Sequence, residues 1–589
     1  MDSEKVIQDL NQRFAQPLPE FYKRRIIFWC DEEREFEDKL DEIVLRDAKL
    51  IALTGTNYFA VKKLLGVEDP TGNYVVYCPL SYEKPEDDWL LDIRLYSEEY
   101  RADLISNWMD EMGLPQTAAL RKQVREYRKF FKAAVRREKI AKQKNIPSVP
   151  RQLDMAVMGA LSGIVDVTPY AIIKKVLCAG LDTGTNSMYC GFADYGIDKA
   201  FWNMVQKGTG YVADIPNLGH LAAHILLTSA TRTMQPEYLS KWKDFVSEAH
   251  QAYCYDFVSE WLHSTDADQL REIVIRIEEE LKLSEQFMKL DVADLVNTET
   301  FPCIHELILI KLMTEIADSI IDVNIIRETV EKRRTCVWYE EVKDFYEGIL
   351  QVANMQDFFK EHTTGFHSAQ AVKVWKEYTT EYYKMDTYYR LFHRSYGRSL
   401  KTYHAKLHDL FSHVMEKAEG LYKNWFLGQL GENWSKVCAE EMERYGKILE
   451  VPQQTDFYKS KVKNADYRVF VIISDALRYE VAADLAEQLR RETKSQVDLS
   501  SMQSIFPTIT KFGMAALLPH EKLSVKFQGN IVDVFADGKS TESHDRDRIL
   551  KSDREDSVAL KYTDLVTAKR QERSAWVKSK NVVYIYHDT

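Results

Sequence analysis

The chain has 589 residues, 45% hydrophobic and 29% charged, the composition of a folded globular protein too long for a single core; length suggests roughly four domains. With 79 Lys and Arg against 91 Asp and Glu, a formal charge of −12 excludes a surface that coats nucleic acid or anionic membrane along its whole length, although local basic stretches stay open to such roles. Eight cysteines without a C-x-x-C pair, and a start of Met1-Asp2-Ser3-Glu4-Lys5 without signal-peptide character, predict a cytoplasmic, reducing setting.

Residues 1–113 alternate strand-like and helix-like signals. Ile26-Ile27-Phe28-Trp29-Cys30, Leu50-Ile51-Ala52-Leu53 and Tyr74-Val75-Val76-Tyr77 are apolar, largely β-branched or aromatic runs that predict strands, and Phe36, Leu40 and Ile43 recur at helical spacing. The prediction is a small α/β domain, receiver-like or Rossmann-like. Asp31-Glu32-Glu33, at the end of the first strand, suits either an acidic receiver pocket or, more ordinarily, an N-cap followed by acids in a first helical turn.

Residues 114–454 fit helices almost throughout, broken by turn signals such as Pro147-Ser148-Val149-Pro150, Thr183-Gly184-Thr185 and Thr209-Gly210. No strict repeat is visible, so the prediction is one or more all-helical domains with a scaffolding role. The most apolar stretch, Ile304 to Ile321, is interrupted by Glu306, Lys311, Glu315 and Asp318 and lacks the ~18–20 apolar residues of a membrane span. No membrane partner is expected.

Three features in this region admit functional readings beside ordinary ones. Residues 121–144 carry eleven Lys or Arg against two acids, with Val124, Tyr127, Phe131 and Ala134 as an apolar stripe: a phosphate-binding helix, or a solvated helix face. Arg390, Arg394 and Arg398 alternate with Tyr388, Tyr389, Phe392 and Tyr396, which would suit a nucleic-acid backbone or a bundle with buried aromatics and outward arginines. His220/His224 and His404/His408 have zinc-binding helical spacing, but Leu221 and Ala405 stand where a metalloprotease motif has Glu. Helix packing or surface exposure is the ordinary reading of both pairs.

Residues 455–589 form a second α/β region. Val469-Phe470-Val471-Ile472-Ile473-Ser474 predicts a buried strand ending in Asp475, Tyr479 to Glu492 a helix with Val481, Ala482, Leu485 and Leu489 facing one side, and Val497 to Phe506 a returning strand. Such a βαβ unit would bring Asp475 together with the Thr508/Thr510 loop. A divalent metal at Asp475 would activate a threonine hydroxyl, Lys511 onward would form a helix favouring phosphate at its start, and Gly513 would keep the approach open. The ordinary alternative is two capping residues.

Phe506-Pro507-Thr508-Ile509-Thr510 resembles the F-P-T-x-T motif of the nucleotide pyrophosphatase/phosphodiesterase branch of the alkaline phosphatase superfamily. That resemblance implies that Thr510 is nucleophile and metal ligand and that Asp475 is a metal ligand. Phe512-Gly513 stands where those phosphodiesterases have Pro-Asn, so the oxyanion-stabilising Asn is missing. Ile473-Ser474-Asp475-Ala476-Leu477-Arg478-Tyr479-Glu480, taken with the threonine motif, is more specifically similar to the PglZ family of bacterial BREX phage-defence systems, in its type 1 form.

The resemblance implies a multidomain α and α/β chain: a small N-terminal α/β domain, a long all-α middle and the start of an alkaline-phosphatase-like domain. It implies a metal-dependent phosphatase or phosphodiesterase, zinc as the divalent metal, and partnership with the BREX methyltransferase, ATPase and small accessory proteins. A nucleic acid or nucleotide is the candidate substrate. Arg478 and Lys511 flank the site and are candidates to bind phosphate oxygens. Asn581 to Thr589 predicts a core strand on the same sheet, and the family's further metal ligands would follow Thr589. The chain is therefore expected to be truncated, to bind metal weakly and to be nearly inactive, with His587 and Asp588 in supporting or structural roles. The alternative function is a non-catalytic scaffold that assembles the defence complex, and DNA binding by the basic helices is a third reading.

Overall fold

The computed structural model describes residues 3–587 apart from 33, 81, 83, 84, 102, 103 and 403. The chain separates into two compact units, 1–286 and 287–589. The division falls inside the helical stretch.

In the first unit, strands β1 (Ile26–Cys30), β2 (Lys49–Ala52), β3 (Tyr74–Cys78) and β4 (Glu98–Tyr100) form a parallel sheet in the order β2-β3-β1-β4. All residues of β1 and β3 are buried, as expected of central parallel strands covered on both faces. Ile27, Trp29, Val75 and Tyr77 pack on one face with Val6, Leu10 and Phe36; Phe28 and Val76 pack on the other with Val61 and Leu65. The spacing of Phe36, Leu40 and Ile43 gives a 3-10 helix over Glu37–Glu42.

Asp31 is wholly buried and accepts hydrogen bonds from the Glu35 N–H (3.1 Å), the Phe36 N–H (2.9 Å) and the Tyr77 hydroxyl (2.7 Å). It is a turn-capping carboxylate. Glu33 lies outside the described residues. The basic segment 121–144 is distributed over local partners: Arg137 pairs with Glu111 at 2.6 Å, Arg128 with Glu35 at 3.3 Å and Lys142 with Glu138 at 2.6 Å.

The second unit runs through helices from Cys303–Ala317 to Gly428–Tyr445 before its sheets begin. Among the described residues no strand occurs between β4 and β5 (Val469–Ser474), and no helix is long and apolar enough to cross a membrane. Strands β6 (Leu523–Gln528), β7 (Ile531–Ala536) and β8 (Lys539–Ser540) form an antiparallel sheet. Its second turn is Asp537-Gly538, both at positive φ, the pairing a two-residue hairpin favours. Strands β9 (Ser557–Lys561) and β10 (Val582–His587) complete a parallel sheet in the order β5-β10-β9. Val471, Val582 and Tyr584 share its core with Tyr458, Leu518 and Leu550.

Two expectations are corrected here. Residues 497–506 form no strand: Gln503 donates its N–H to Pro452 O (2.7 Å) and accepts from Gln454 N–H (2.9 Å), so it joins the entry segment and leaves the place beside β5 to β10. The helix Tyr479–Glu492 buries Glu480, Ala483 and Ala486, while Leu485 and Leu489 are exposed. The helix Tyr383–Ser399 meets it through Arg390, which reaches Glu480 and Asp484, and through Tyr383, whose ring packs on Tyr479.

Candidate functional site

The β5–β10 ladder delivers the central carboxylate. Asp475 follows the last residue of β5, and its N–H donates to the His587 carbonyl at 3.1 Å, one further rung along β10. Asp475 Oδ1 accepts the Ala476 N–H at 3.1 Å, and Ala476 sits at φ +60°, which turns the chain away from the sheet edge. The helix Tyr479–Glu492 then begins at Arg478, whose extended backbone precedes it.

Thr510 reaches the same point from the other side. The Gln454 side chain accepts the Ile505 N–H at 3.2 Å and so fixes the irregular segment, after which Thr510 opens the seven-residue helix Thr510–Ala516. The Thr510 hydroxyl donates to Asp475 Oδ2 at 3.0 Å across 35 residues of sequence. Asp475 is half-buried and Thr510 exposed, so solvent and ligand reach the pair. A Cβ at Gly513 would meet only the Gln454 side-chain amide, at 3.5 Å, an ordinary contact, so the approach does not depend on glycine there.

The two candidate cations differ. Arg478 is exposed, and its guanidinium has no hydrogen bond or ion pair among the described residues. The Lys511 ammonium is held by Asp533 (3.0 Å), Glu542 (2.9 Å) and the Val532 carbonyl (2.9 Å). Bonds to Glu542 and then Asp533 hold its pKa above the ordinary lysine value. Its charge is matched on β7 and just beyond the β6–β8 sheet, where it docks the short helix. His587 lies 3.5 Å from the Ser474 hydroxyl by Nδ1, and its ring packs edge-on against Tyr562 at 4.4 Å. Asp588 lies outside the described residues.

One charged pair was not foreseen. Glu480, 1% exposed in the first turn after Arg478, accepts from Arg390 Nε at 2.9 and 2.8 Å, and Arg390 Nη2 lies 3.5 Å from Asp484. Arg390 thus belongs to the contact between the helical stretch and the Asp475 segment. The only trace in the sequence is Glu480 in line with Ala483 and Ala486, a charge on a small-residue face.

The histidine pairs do not gather donors. His224 is buried with Nε2 2.8 Å from Thr209 O, and burial lowers its pKa; His220 packs on Phe245. His404 Nδ1 faces Glu306 at 3.1 Å and His408 Nε2 faces Thr402 O at 2.8 Å. Among the described residues no group of three or more His, Cys, Asp or Glu side chains could hold a metal ion. Asp475 and Thr510 supply one carboxylate and one hydroxyl, short of the about three or four protein ligands of a zinc site.

Residues 457–589 match the family described as the BREX system PglZ alkaline phosphatase-like domain. Over 593 residues the chain is 30% identical to the alkaline phosphatase-like protein PglZ of Bacillus cereus (strain H3081.97), covering 100% of this chain and 68% of that protein. Over 619 residues it is 29% identical to the alkaline phosphatase-like protein BrxZ of Escherichia coli O9:H4 (strain HS), covering 98% of this chain and 68% of that protein. No solved structure matches it.

Proposed function

Because the chain belongs to the PglZ family of BREX-associated, alkaline-phosphatase-like proteins, we propose that Asp475 and Thr510 are the nucleophilic centre of a phosphate-ester hydrolase. The observation that carries this reading is the 3.0 Å bond from the Thr510 hydroxyl to Asp475 Oδ2. A carboxylate that accepts this proton leaves oxygen lone pairs free to attack phosphorus. The Oγ–P bond forms as the bond to the leaving oxygen breaks, the threonine proton passes to Asp475, and the leaving oxygen takes a proton from water. Water then attacks the phosphothreonine, giving a proton to the hydroxide left by the first step, and as the Oγ–P bond breaks Asp475 returns its proton to the threonine oxygen. Arg478, exposed beside the pair, offsets the charge of the phosphate.

A divalent cation, with zinc as the candidate, would polarise phosphate oxygens when bound, and Asp475 and Thr510 would be among its ligands. Two donors do not complete such a site, and no step above depends on it. The proposal extends to a cytoplasmic setting, supported by eight free cysteines, and to partnership with the BREX methyltransferase, ATPase and accessory proteins. The test is acid-quenched single turnover with an aryl phosphate diester followed by peptide mass spectrometry. A phosphate ester on Thr510 is expected, and turnover without any modified Thr510 peptide would overturn the assignment.

The two-donor count favours a second reading, a scaffold without catalysis. It predicts full phage resistance in a Thr510→Ala strain and loss of resistance when the helical stretch is disrupted.

A further inference from the structure

A cleft of about 670 Å³ opens beside the Asp475 turn, within the range of about 300–1,000 Å³ typical of small-molecule sites. The helical stretch lines it with Trp375, Tyr378 and Trp434, and the phosphatase-like region with Leu477, Tyr479 and Ser501. We propose that this cleft is a base subsite: it takes the nucleobase of a nucleoside phosphate whose phosphate group lies at Asp475 and Thr510. The phosphate half rests on the hydrolase reading above; the base half stands on the cleft alone.

The lining suits a flat ring. Trp375 and Trp434 have centroids 6.2 Å apart and planes tilted by 46°, a wedge of two indoles. The polar ends of three lining aromatics are already satisfied within the protein: Trp375 Nε1 donates to Ser501 (2.9 Å), the Tyr378 hydroxyl to Asp386 (2.6 Å) and the Tyr479 hydroxyl to the Thr379 carbonyl (3.0 Å). What these residues have left to offer a ligand is ring surface, on which any base can stack. Ser500 and Ser504 also line the cleft, and their hydroxyls have no partner among the described residues, so they can bond the edge of a base.

The position suits a nucleotide. Leu477 is two residues beyond Asp475, a separation that chain geometry limits to about 7 Å. Arg478 stands between the lining residues Leu477 and Tyr479, with no ion-pair partner among the described residues, where a phosphate attached to the bound nucleoside would need a cation.

Calorimetric titration of the full chain with adenosine, AMP and ribose 5-phosphate separates the two halves. Adenosine is expected to bind saturably, AMP tighter than adenosine, and ribose 5-phosphate weakest. Trp434→Ala should weaken adenosine by about tenfold, the scale of one lost stacking contact. Gly431→Leu should block it outright: Gly431 lines the cleft within the helix Gly428–Tyr445, and a Cβ there meets nothing within 4 Å, so the helix accepts leucine. No saturable adenosine binding, or binding unchanged in Gly431→Leu, overturns the base subsite. Adenosine binding with AMP no tighter, and AMP binding unchanged in Arg478→Ala, sinks the phosphate reading of Asp475 and Thr510 and leaves the cleft standing.

Discussion

Arg390 places Nε 2.8 Å from one carboxylate oxygen of Glu480 and 2.9 Å from the other, and Glu480 is 1% exposed. The pair ties the helix Tyr383–Ser399 to the turn that carries Asp475, five residues before Glu480. Removing Arg390 would strand a buried carboxylate. Because Arg390 keeps 27% exposure, Arg390→Ala should cost about 2–4 kcal/mol, toward the lower side of what breaking a buried pair costs. Urea denaturation followed by circular dichroism measures it, and Glu480→Gln in the same chain should recover part of the loss.

The Thr510–Asp475 bond predicts a specific pattern of activity. Thr510→Ala should lower turnover of an aryl phosphate diester by about a hundredfold or more, while Thr510→Ser keeps a hydroxyl and retains measurable turnover. Circular dichroism should be unchanged in both, since residue 510 is exposed at the start of its helix. Alanine and wild type hydrolysing at the same rate would remove Thr510 from the chemistry.

The donor count predicts weak metal retention. Because Asp475 and Thr510 bring one carboxylate and one hydroxyl together where zinc takes about three or four protein ligands, this chain should hold well under one equivalent of zinc after dialysis. Elemental analysis of the dialysed chain decides this, and a stoichiometric zinc content that raises the melting temperature would contradict it.

Asp31 distinguishes a cap from a receiver pocket. Asp31→Ala would leave two backbone N–H groups and the Tyr77 hydroxyl without their acceptor in a buried turn, a loss of about 2–4 kcal/mol. Thermal melts should show that loss, and titration with magnesium should give the same null result in wild type and variant. Magnesium binding that vanishes in the variant would restore the receiver reading.

Asp556 predicts a pH dependence. Bonds from the Arg554 guanidinium and then from Asn581 hold its pKa below the ordinary carboxylate value, and the group sits where β9 and β10 begin. A depressed carboxylate pKa contributes stability that is complete above the unfolded value of about 4 and is lost as pH falls through the folded value. The gap in urea midpoint between wild type and Asp556→Asn should be full at neutral pH and close as pH drops below about 4. A gap that persists into strong acid would show that Asp556 acts by shape rather than charge.

The parallel strands were legible because each is a short apolar run whose pattern needs no knowledge of its neighbours: Ile26–Cys30, Tyr74–Cys78 and Val469–Ser474 all read as strands, and Val582–His587 as a core strand, but the burial expected of Val469–Ser474 is not found, since Val471 is buried while Phe470 and Ile472 are exposed. The helical stretch was legible for the same local reason, periodicity. Its arginine and histidine motifs were not, because a charge or ring acquires meaning from what faces it. Arg390 faces Glu480, 90 residues away, and His404 faces Glu306, 98 residues away.

Local chemistry therefore determined which segments become strands and helices, and it marked Asp475 and Thr510 through a short motif. Only the tertiary structure decided that β10 rather than residues 497–506 lies beside β5, that the helix Tyr479–Glu492 buries Glu480 instead of its leucines, and that Lys511 is matched by Asp533 and Glu542. The physical reason is that strand neighbours, burial and charge pairing are competitions among distant segments, settled by total packing and desolvation, whereas the propensity of a segment is settled within a few residues.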